Sequence, residues 1–439
     1  MQSSGSARSG VKIRLVEDRC ALGVLGGDGY PVWLKEEIVR RGLVADGEQT
    51  ISFCGLIAQD SEVFVFIPRG SALPVTIAEK DSLAALTTSC LELYGRRRPA
   101  NTIPEESGLV EFEQDAQLAL VRELLDDYRL NGLYATVSRQ QTSNNGRTDW
   151  RRTIRMVAVL PDADGMPIYP ELIGTRRCST LDSIVTRIHG AVISKLDEMF
   201  GWWVTGEAGG RLASDLDADP DLLDRAEYCI AMLKHEMVLV YSDRHMRLIR
   251  NLLRYFRHHK LAGGSPVVIG LRDFHWVWEY MLAEITAWRK DVSRELPVPV
   301  YYAQNGERQP APGKGMRPDL VLGVAARRHM AVVDAKYYQA RDVSTAPGWH
   351  DLVKQFFYAK ALQEAYPGWT VDNIFVFPGC GKLSYAAVES RDRSRRFDEL
   401  FPPVRCVYID PVQVMQHFIA GTLSTEITES FLMAGRRDA

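Results

Sequence analysis

Two short apolar segments in the C-terminal half each carry an acidic residue, and the second also carries a lysine. Asp319 opens the first segment, and the second ends in Asp334-Ala335-Lys336. Strands place alternate residues on one face, so Asp334 and Lys336 point the same way. Residues 323–329 supply a turn between the segments. We therefore expect a hairpin that brings Asp319 alongside Asp334.

This pattern is typical of metal-dependent phosphodiester hydrolysis. Two neighbouring carboxylates suit Mg²⁺, a hard cation that prefers oxygen ligands and retains several waters. A lysine beside them can orient or help deprotonate the attacking water and can offset charge on the phosphate in the transition state. Pro-Asp and Asp-x-Lys are each common in sequences, so a surface hairpin with a solvated salt bridge is the alternative.

Two flanking segments favour the catalytic interpretation. Upstream, residues 274–282 predict a mostly buried helix that carries Glu279, and a charge is seldom placed in such surroundings unless it is paired or binds a metal. Downstream, residues 351–360 predict a helix that carries Gln355. An acid on a helix, then the hairpin, then a helix with a glutamine is the layout of the PD-(D/E)XK nucleases.

The chain therefore resembles a known group of nucleases. Residues 270–425 look like the nuclease domain of McrC-like restriction subunits, and the whole chain looks most like the LlaJI-type restriction endonucleases of that group. Residues 53–70 and 146–154 add weaker N-terminal similarity. In the related RecB-like nucleases a tyrosine follows the glutamine by four positions. Tyr358 follows Gln355 by three, so only Gln355 is carried over.

The resemblance implies an activity, a partner and a role for each site residue. It implies cleavage of double-stranded DNA by a subunit that works with an McrB-like AAA+ GTPase or ATPase. Asp319 and Asp334 are expected to bind Mg²⁺, helped by the carbonyl of Ala335 and by Glu279. Lys336 is expected to orient the attacking water, and Gln355 to steady the lysine or the water. The expected products carry 5′-phosphate and 3′-hydroxyl ends.

Two other functions stay open for the same residues. One is a repair or recombination nuclease of this fold that acts at DNA ends. The other is a catalytically silent scaffold that holds a partner ATPase. A closed circular substrate separates the first from an endonuclease, since an end-acting enzyme spares circles. Glu279, Asp319, Asp334 and Lys336 are all present in the family's order, which argues against a catalytically silent scaffold.

A basic helix is predicted just before the nuclease segment. Residues 244–260 contain five arginines, one lysine and no acid. On a helix, one side carries the arginines and the opposite side is apolar. We expect the basic side to follow the DNA backbone and to add affinity without sequence readout. A solvated face, or one paired with acids elsewhere, is the alternative. The residues concerned are Arg247, Arg250, Arg254 and Arg257.

A second basic cluster surrounds Trp150. Arg151, Arg152 and Arg155 beside this tryptophan suit contact with nucleic acid or with a partner subunit. The alternative is an exposed strand with one packed tryptophan. No motif that reads bases is visible in this half of the chain.

Composition sets broader limits. The 439 residues are 46% hydrophobic and 25% charged, which predicts a soluble globular protein of two or three domains. The net charge of −3 does not exclude DNA binding, because binding depends on where the charge sits. Seven scattered cysteines without a Cys-x-x-Cys pair predict a reducing bacterial cytoplasm rather than a disulfide framework or a zinc ribbon. No apolar run approaches the ~20 residues of a membrane span.

Other chemistries lack required residues. The stretch 379–382, Gly-Cys-Gly-Lys, resembles the end of a phosphate-binding loop. However, Val376 stands where that loop requires its first glycine, and Leu383 stands where it requires serine or threonine. His235-Glu236 begins a zinc-protease pattern, but Leu239 replaces the second histidine. Energy input, if the activity requires it, is expected from another chain.

The predicted elements give an α/β protein in which a nuclease domain with a mixed sheet flanked by helices follows a β-rich and helical region. A glycine-containing stretch, 261–266, is the expected linker before that domain. The expected divisions are a disordered lead at 1–10, a small β-rich module at 11–75, a mixed α/β region for DNA or partner contact at 76–262, the PD-(D/E)XK domain at 267–425 and a loose tail at 426–439.

Overall fold

The computed structural model describes residues 12–27, 29–45, 49–59, 62–74, 76–97, 111–206, 210–216, 218–260, 266–311, 313 and 315–432. The expected lead at 1–10, residues 261–265 of the expected linker and the end of the expected tail lie outside these ranges. Contacts divide the chain into two compact units. Unit 1 comprises 1–119, 206–210 and 265–439, and unit 2 comprises 120–205 and 211–264.

Strands and helices are numbered along the chain. The strands are β1 (Lys12–Glu17), β2 (Cys54–Gln59), β3 (Glu62–Ile67), β4 (Thr136–Ser143), β5 (Arg147–Thr148), β6 (Leu160–Pro161), β7 (Pro167–Ile168), β8 (Ile173–Thr180), β9 (Val267–Leu271), β10 (Val300–Tyr302), β11 (Arg308–Pro310), β12 (Leu320–Val324), β13 (His329–Ala335), β14 (Thr370–Pro378), β15 (Tyr385–Ala386) and β16 (Val404–Ile409). The helices are α1 (Val32–Arg40), α2 (Ile77–Arg97), α3 (Glu111–Asn131), α4 (Trp150–Met156), α5 (Ile184–Thr205), α6 (Asp221–Asp224), α7 (Ala226–Leu239), α8 (Asp243–Lys260), α9 (His275–Ile285), α10 (Trp349–Ala365), α11 (Pro411–Ala420) and α12 (Thr425–Leu432).

The first sheet of unit 1 has the order β1-β3-β2-β9. Its strand β3 is buried along nearly its whole length, which explains its uninterrupted apolar sequence. β9 pairs antiparallel with β2, and Gly55 lies opposite Gly270. A Cβ atom on either glycine would come within 2.6 Å of the other's backbone, so both positions require glycine. The strand pairing thus joins the start of the segment 267–425 to the module 11–75, although the sequence predicted two separate domains here.

The second sheet of unit 1 is mixed, as expected, and has the order β12-β13-β14-β16-β15. β12 and β13 form an antiparallel hairpin, and β13, β14 and β16 are parallel neighbours. Met330 and Val332 on β13 share a buried cluster with Ala359 and Leu362 of α10. Because strand residues alternate, Asp334 lies on the same face of β13 as these two residues. The α/β class with mixed sheets is confirmed.

Helices of unit 1 pack around these sheets. α2 packs against β1 and β3 and against α11, and α11 also contacts α9. α10 packs against β13 and β14, whereas α12 packs against β13 and β16. A loose tail from residue 426 was expected, but α12 instead buries Ile427, Phe431 and Leu432. The apolar spacing of these three residues is helical, and their burial holds the segment on the sheet.

Buried polar contacts join the first sheet to the residue that follows Lys336. The hydroxyl of Tyr337 accepts a hydrogen bond of 3.1 Å from the backbone N–H of Arg69, just after β3. The same hydroxyl lies 3.7 Å from the Cys54 thiol at the start of β2, within hydrogen-bond range for sulfur. The backbones of Gly70 and Gly379 meet so closely that a Cβ on either would clash with the other segment. These contacts therefore hold the end of β13, which carries Asp334 and leads into Lys336, against the first sheet.

Unit 2 contains a three-stranded sheet of order β4-β8-β5, the hairpin β6-β7 and the helices around α5. The Trp150 segment was expected to be an exposed strand, unless it had a binding role, but it forms α4. Asp149 caps this helix by accepting from the N–H of Arg152 at 3.1 Å. Trp150 is exposed rather than packed. Across the described ranges, no helix combines the length and the apolar character that a bilayer crossing requires.

Candidate active site

The hairpin of β12 and β13 brings the two aspartates together. Its register pairs Leu320 with Val333, and residues 325–328 make the turn between the strands. The backbone N–H of Ala335 donates a hydrogen bond of 2.8 Å to Asp319 Oδ2. Asp334 is buried, while Asp319 stays open to solvent at the mouth of the site. The predicted hairpin therefore forms, with one carboxylate inside and one at the entrance.

The two carboxylates repel each other. Desolvation raises the pKa of Asp319 to about 7, and repulsion from the adjacent Asp334 carboxylate adds to the increase. One oxygen of Asp334, Oδ2, is buried without a hydrogen bond in the described part of the chain. An excess of negative charge here is a condition that a bound cation relieves.

Lys336 lies between two carboxylates. Its Nζ is 2.7 Å from Asp334 Oδ2 and 2.7 Å from Asp351 Oδ1. The contact with Asp334 is an ion pair without hydrogen-bond alignment, whereas the ammonium donates a hydrogen bond to Asp351. Burial lowers the pKa of Lys336, but attraction to Asp334 and Asp351 outweighs it, so the net shift is upward. Lys336 is thus held in its charged form.

Sequence reasoning missed Asp351. It lies in the first turn of α10, where an acidic residue is unremarkable because it complements the helix dipole. The available signal was its spacing, since Asp351 and Gln355 are four residues apart and share one face of the helix. The helix packs on β13, which ends in Asp334 and Ala335, and on β14.

Glu279 on α9 is the third carboxylate of the group. Burial raises its pKa to about 8, and the charges of Asp319 and Asp334 act in the same direction. Lys336 and Lys354 oppose this increase by attraction. The predicted acid therefore does lie near the hairpin, on a helix that contacts β13.

Gln355 is fully buried on α10, and its contacts differ from those expected. Its Nε2 donates to the carbonyl of Ile374 on β14 at 3.5 Å, while its Oε1 has no hydrogen-bond partner among the described residues. The side chain that contacts Lys336 from this helix is Asp351. Gln355 instead contacts β14, the strand next to β13, and its side-chain oxygen Oε1 is buried there.

The donor set fits Mg²⁺. Nowhere in the described ranges do three His, Cys, Asp or Glu side chains converge closely enough to enclose a metal ion by themselves. Mg²⁺ does not require such a cage, because it binds proteins through one or two carboxylates and keeps several waters. Asp319 and Asp334 supply two carboxylates, and Asp334 Oδ2 accepts no hydrogen bond from the described residues, its close neighbour being the Lys336 ammonium. A hard oxygen set without thiolate or imidazole suits Mg²⁺ or Mn²⁺.

The basic helix of unit 2 forms as predicted. α8 buries one side, which includes Leu248, Ile249, Leu252 and Phe256. On the other side, Arg247, Arg250 and Arg257 are exposed and Arg254 is half-buried. Arg244 pairs with Asp127, but none of these four arginines has an ion-pair partner in the described part of the chain. The alternative in which nearby acids neutralise this face is not what the described residues show.

Comparison with known proteins identifies the class. The chain belongs to the LlaJI restriction endonuclease family, whose sequences it matches over residues 53–410. It is 23% identical over 397 residues to the Type II restriction enzyme BsuMI component YdjA of Bacillus subtilis (strain 168), across 87% of this chain and 83% of that protein. The expected family is confirmed, and the chain is a nuclease subunit of a restriction system.

Among solved structures, similarity extends to a half-complex from the tetradecameric assembly of Thermococcus gammatolerans McrB AAA+ hexamers with bound McrC. The superposition covers 93% of this chain and 99% of that chain, with 11% identity and a TM-score of 0.35.

Proposed function

We propose that this protein is a Mg²⁺-dependent endonuclease of the PD-(D/E)XK type that cleaves double-stranded DNA and is activated by a separate AAA+ GTPase or ATPase. The observation that carries the proposal is the gathering of Asp319, Asp334 and Lys336 at the end of one hairpin. Family membership supports the restriction activity. A decayed scaffold would have little reason to retain this arrangement.

Each residue has a defined task in the proposed reaction. Asp319, Asp334 and the carbonyl of Ala335 would hold the cation, with Glu279 close by. When bound, Mg²⁺ would supply Lewis acidity that makes a water more acidic and polarises the phosphate. Lys336 would hold its positive charge near the scissile phosphate and offset charge that develops in the transition state. Gln355 would fix the strand beside the site, because its Nε2 donates to the carbonyl of Ile374 on β14.

Substrate and partner follow from other observations. The unpaired arginines of α8 would follow the phosphate backbone, which gives affinity that does not depend on sequence. The AAA+ partner rests on the resemblance of this chain to McrC-like subunits. The relative from Bacillus subtilis is itself named as a component of a restriction enzyme, which fits a system of several chains.

The test is cleavage of closed circular plasmids in Mg²⁺, both unmodified and methylated. Wild type and Lys336→Ala would be compared in the presence and in the absence of a candidate AAA+ NTPase supplied with GTP. Nicking or linearisation that requires the partner and disappears in the variant supports the proposal. Cleavage confined to linear DNA would identify an end-acting nuclease instead. Cleavage of neither form under any of these conditions would favour the scaffold.

A further inference from the structure

Lys336 and a bound cation would compete for the same oxygen. Lys336 Nζ lies 2.7 Å from Asp334 Oδ2, the oxygen that the proposed function assigns to the metal. Two positive charges cannot share one carboxylate oxygen at such a distance without strong repulsion. The ammonium must therefore give up this contact when a cation binds, yet it must stay close enough to act on the phosphate.

Asp351 offers the ammonium a second anchor. Its Oδ1 accepts a hydrogen bond of 2.7 Å from Lys336 Nζ, with the alignment that the Asp334 contact lacks. Asp351 is also the more solvent-exposed of the two carboxylates, at 26% against 11% for the side chains. It therefore carries its charge at lower desolvation cost and is not needed by the cation.

The anchor is rigid because α10 is firmly packed. Ala359 and Leu362, two and three turns after Asp351, are completely buried in the cluster beneath the helix. Tyr358 ties the same helix to the carbonyl of Arg317 at 3.1 Å. Asp351 consequently holds its place whether or not the ammonium stays on Asp334.

We propose that Asp351 is a positioning residue that holds the Lys336 ammonium away from Asp334, so that Asp334 can bind the divalent cation while Lys336 stays beside the phosphate. The inference rests on the proposed function, since it requires a metal at Asp334. It predicts a specific coupling. Loss of Asp351 weakens metal binding only as long as Lys336 is present to fall back on Asp334.

The experiment is a double-mutant cycle read out by metal affinity. Binding of Mn²⁺ to the full-length protein is measured by isothermal titration calorimetry for wild type, Asp351→Asn, Lys336→Met and the double variant. Asp351→Asn is expected to weaken Mn²⁺ binding on the order of tenfold, the usual effect of losing a residue that orients a ligand. Lys336→Met is expected to bind at least as tightly as wild type. The double variant is expected to match Lys336→Met.

Two controls separate this role from a general effect of charge or folding. Glu364→Gln removes one negative charge from an exposed position of the same helix and is expected to leave Mn²⁺ affinity unchanged. Asp351→Glu keeps the carboxylate and is expected to lie between wild type and Asp351→Asn. An equal loss of affinity from Asp351→Asn in the presence and absence of Lys336 would overturn the proposal, because it would show a direct effect on the metal.

The failure of this inference differs from the failure of the proposed function. Wild type that binds Mn²⁺ and cleaves DNA, with an Asp351→Asn variant that binds equally well, refutes the role of Asp351 alone. If Asp334→Asn binds Mn²⁺ as tightly as wild type, both the role of Asp351 and the proposed metal site are refuted, since no metal then occupies the assigned oxygen.

Discussion

The hydroxyl of Tyr358 donates a hydrogen bond of 3.1 Å to the carbonyl of Arg317, two residues before Asp319. Nearby protein atoms and the charges of Asp319 and Asp334 raise the pKa of this phenol, so it stays a donor. Tyr358 was not carried over from the family pattern, because it stands one position too early after Gln355. The structure shows that it nonetheless ties α10 to the loop that carries the first carboxylate.

Removal of this hydroxyl tests its importance. Tyr358→Phe is expected to lower the cleavage rate about tenfold, because a misplaced Asp319 weakens the site. The free energy of unfolding is expected to fall by only about 1 kcal/mol, the value of one hydrogen bond. Initial rates of plasmid cleavage and urea unfolding check the two values. Tyr385→Phe, on the exposed end of β15, serves as the matched control. A cleavage rate equal to wild type would contradict this role.

Asp334 is expected to be essential for activity and dispensable for folding. Asp334→Asn should reduce cleavage at least about a hundredfold, because the buried carboxylate is lost as a ligand. The melting temperature without divalent cations is expected not to fall. Relief of the repulsion with Asp319 and Glu279 offsets the lost ion pair with Lys336, which keeps Asp351 as its partner. Plasmid cleavage and differential scanning fluorimetry measure the two effects. Full activity in this variant would remove Asp334 from the site.

The acidic cluster predicts a pH dependence of stability. The pKa of Glu279 is about 8 in the folded chain, well above its ordinary value of 4.5. Between these two values the folded state holds a proton that the unfolded state has released, so stability falls as the pH rises. One such group contributes less than about 1.4 kcal/mol per pH unit.

Melting temperatures between pH 5 and pH 8.5 in EDTA measure this effect. Glu279→Gln is expected to flatten the decline, because the amide does not titrate. Mg²⁺ is expected to raise the melting temperature more at pH 8 than at pH 6, since it binds the ionised carboxylates. An identical pH profile for wild type and Glu279→Gln would show that Glu279 is not the group responsible.

The basic face of α8 is expected to contribute to DNA affinity through phosphate contacts. Arg250→Glu combined with Arg254→Glu should weaken binding to a duplex of any sequence and reduce the slope of log K against log salt by about 2. Lys234→Glu on the neighbouring α7 is the control, because this exposed lysine lies outside the α8 face. Fluorescence anisotropy from 50 to 300 mM salt gives the slope. An unchanged slope in the double variant would show that α8 does not meet the DNA.

The link between Tyr337 and the first sheet predicts a loss of stability. Tyr337→Phe removes the hydroxyl that accepts from the N–H of Arg69 and contacts the Cys54 thiol. Leaving buried polar groups without this partner is expected to cost about 2 kcal/mol. Chemical unfolding of the full chain measures it. Tyr338→Phe, a half-buried neighbour outside these contacts, is expected to cost less.

Local patterns predicted the elements that carry the site. β12, β13, α9 and α10 form where the sequence predicted a hairpin and two flanking helices, because an apolar strand beside a polar turn and an amphipathic helix are both encoded in neighbouring residues. The spacing of Asp334 and Lys336 likewise fixed their common face. Glu279 could be found because an acid in an apolar helix is conspicuous.

Relationships between distant residues could not be predicted in this way. β9 pairs with β2, which lies more than two hundred positions earlier. The sequence of neither strand indicates which other strand it pairs with. Asp351 reaches Lys336 only because α10 folds back on β13. The residues after Trp150 have a strand-like pattern, but the Asp149 side chain caps a helix there by accepting from the N–H of Arg152.

The interleaving of the two units has a consequence for how such proteins can be altered. The chain leaves unit 1 after residue 119 and returns for good at residue 265, so strands from before and after this interior segment complete the sheet that contains β2 and β9. A fragment that starts at residue 266 would expose β9 without its neighbour. Exchange between relatives therefore works best as replacement of the interior segment 120–264, with both ends kept from a single parent.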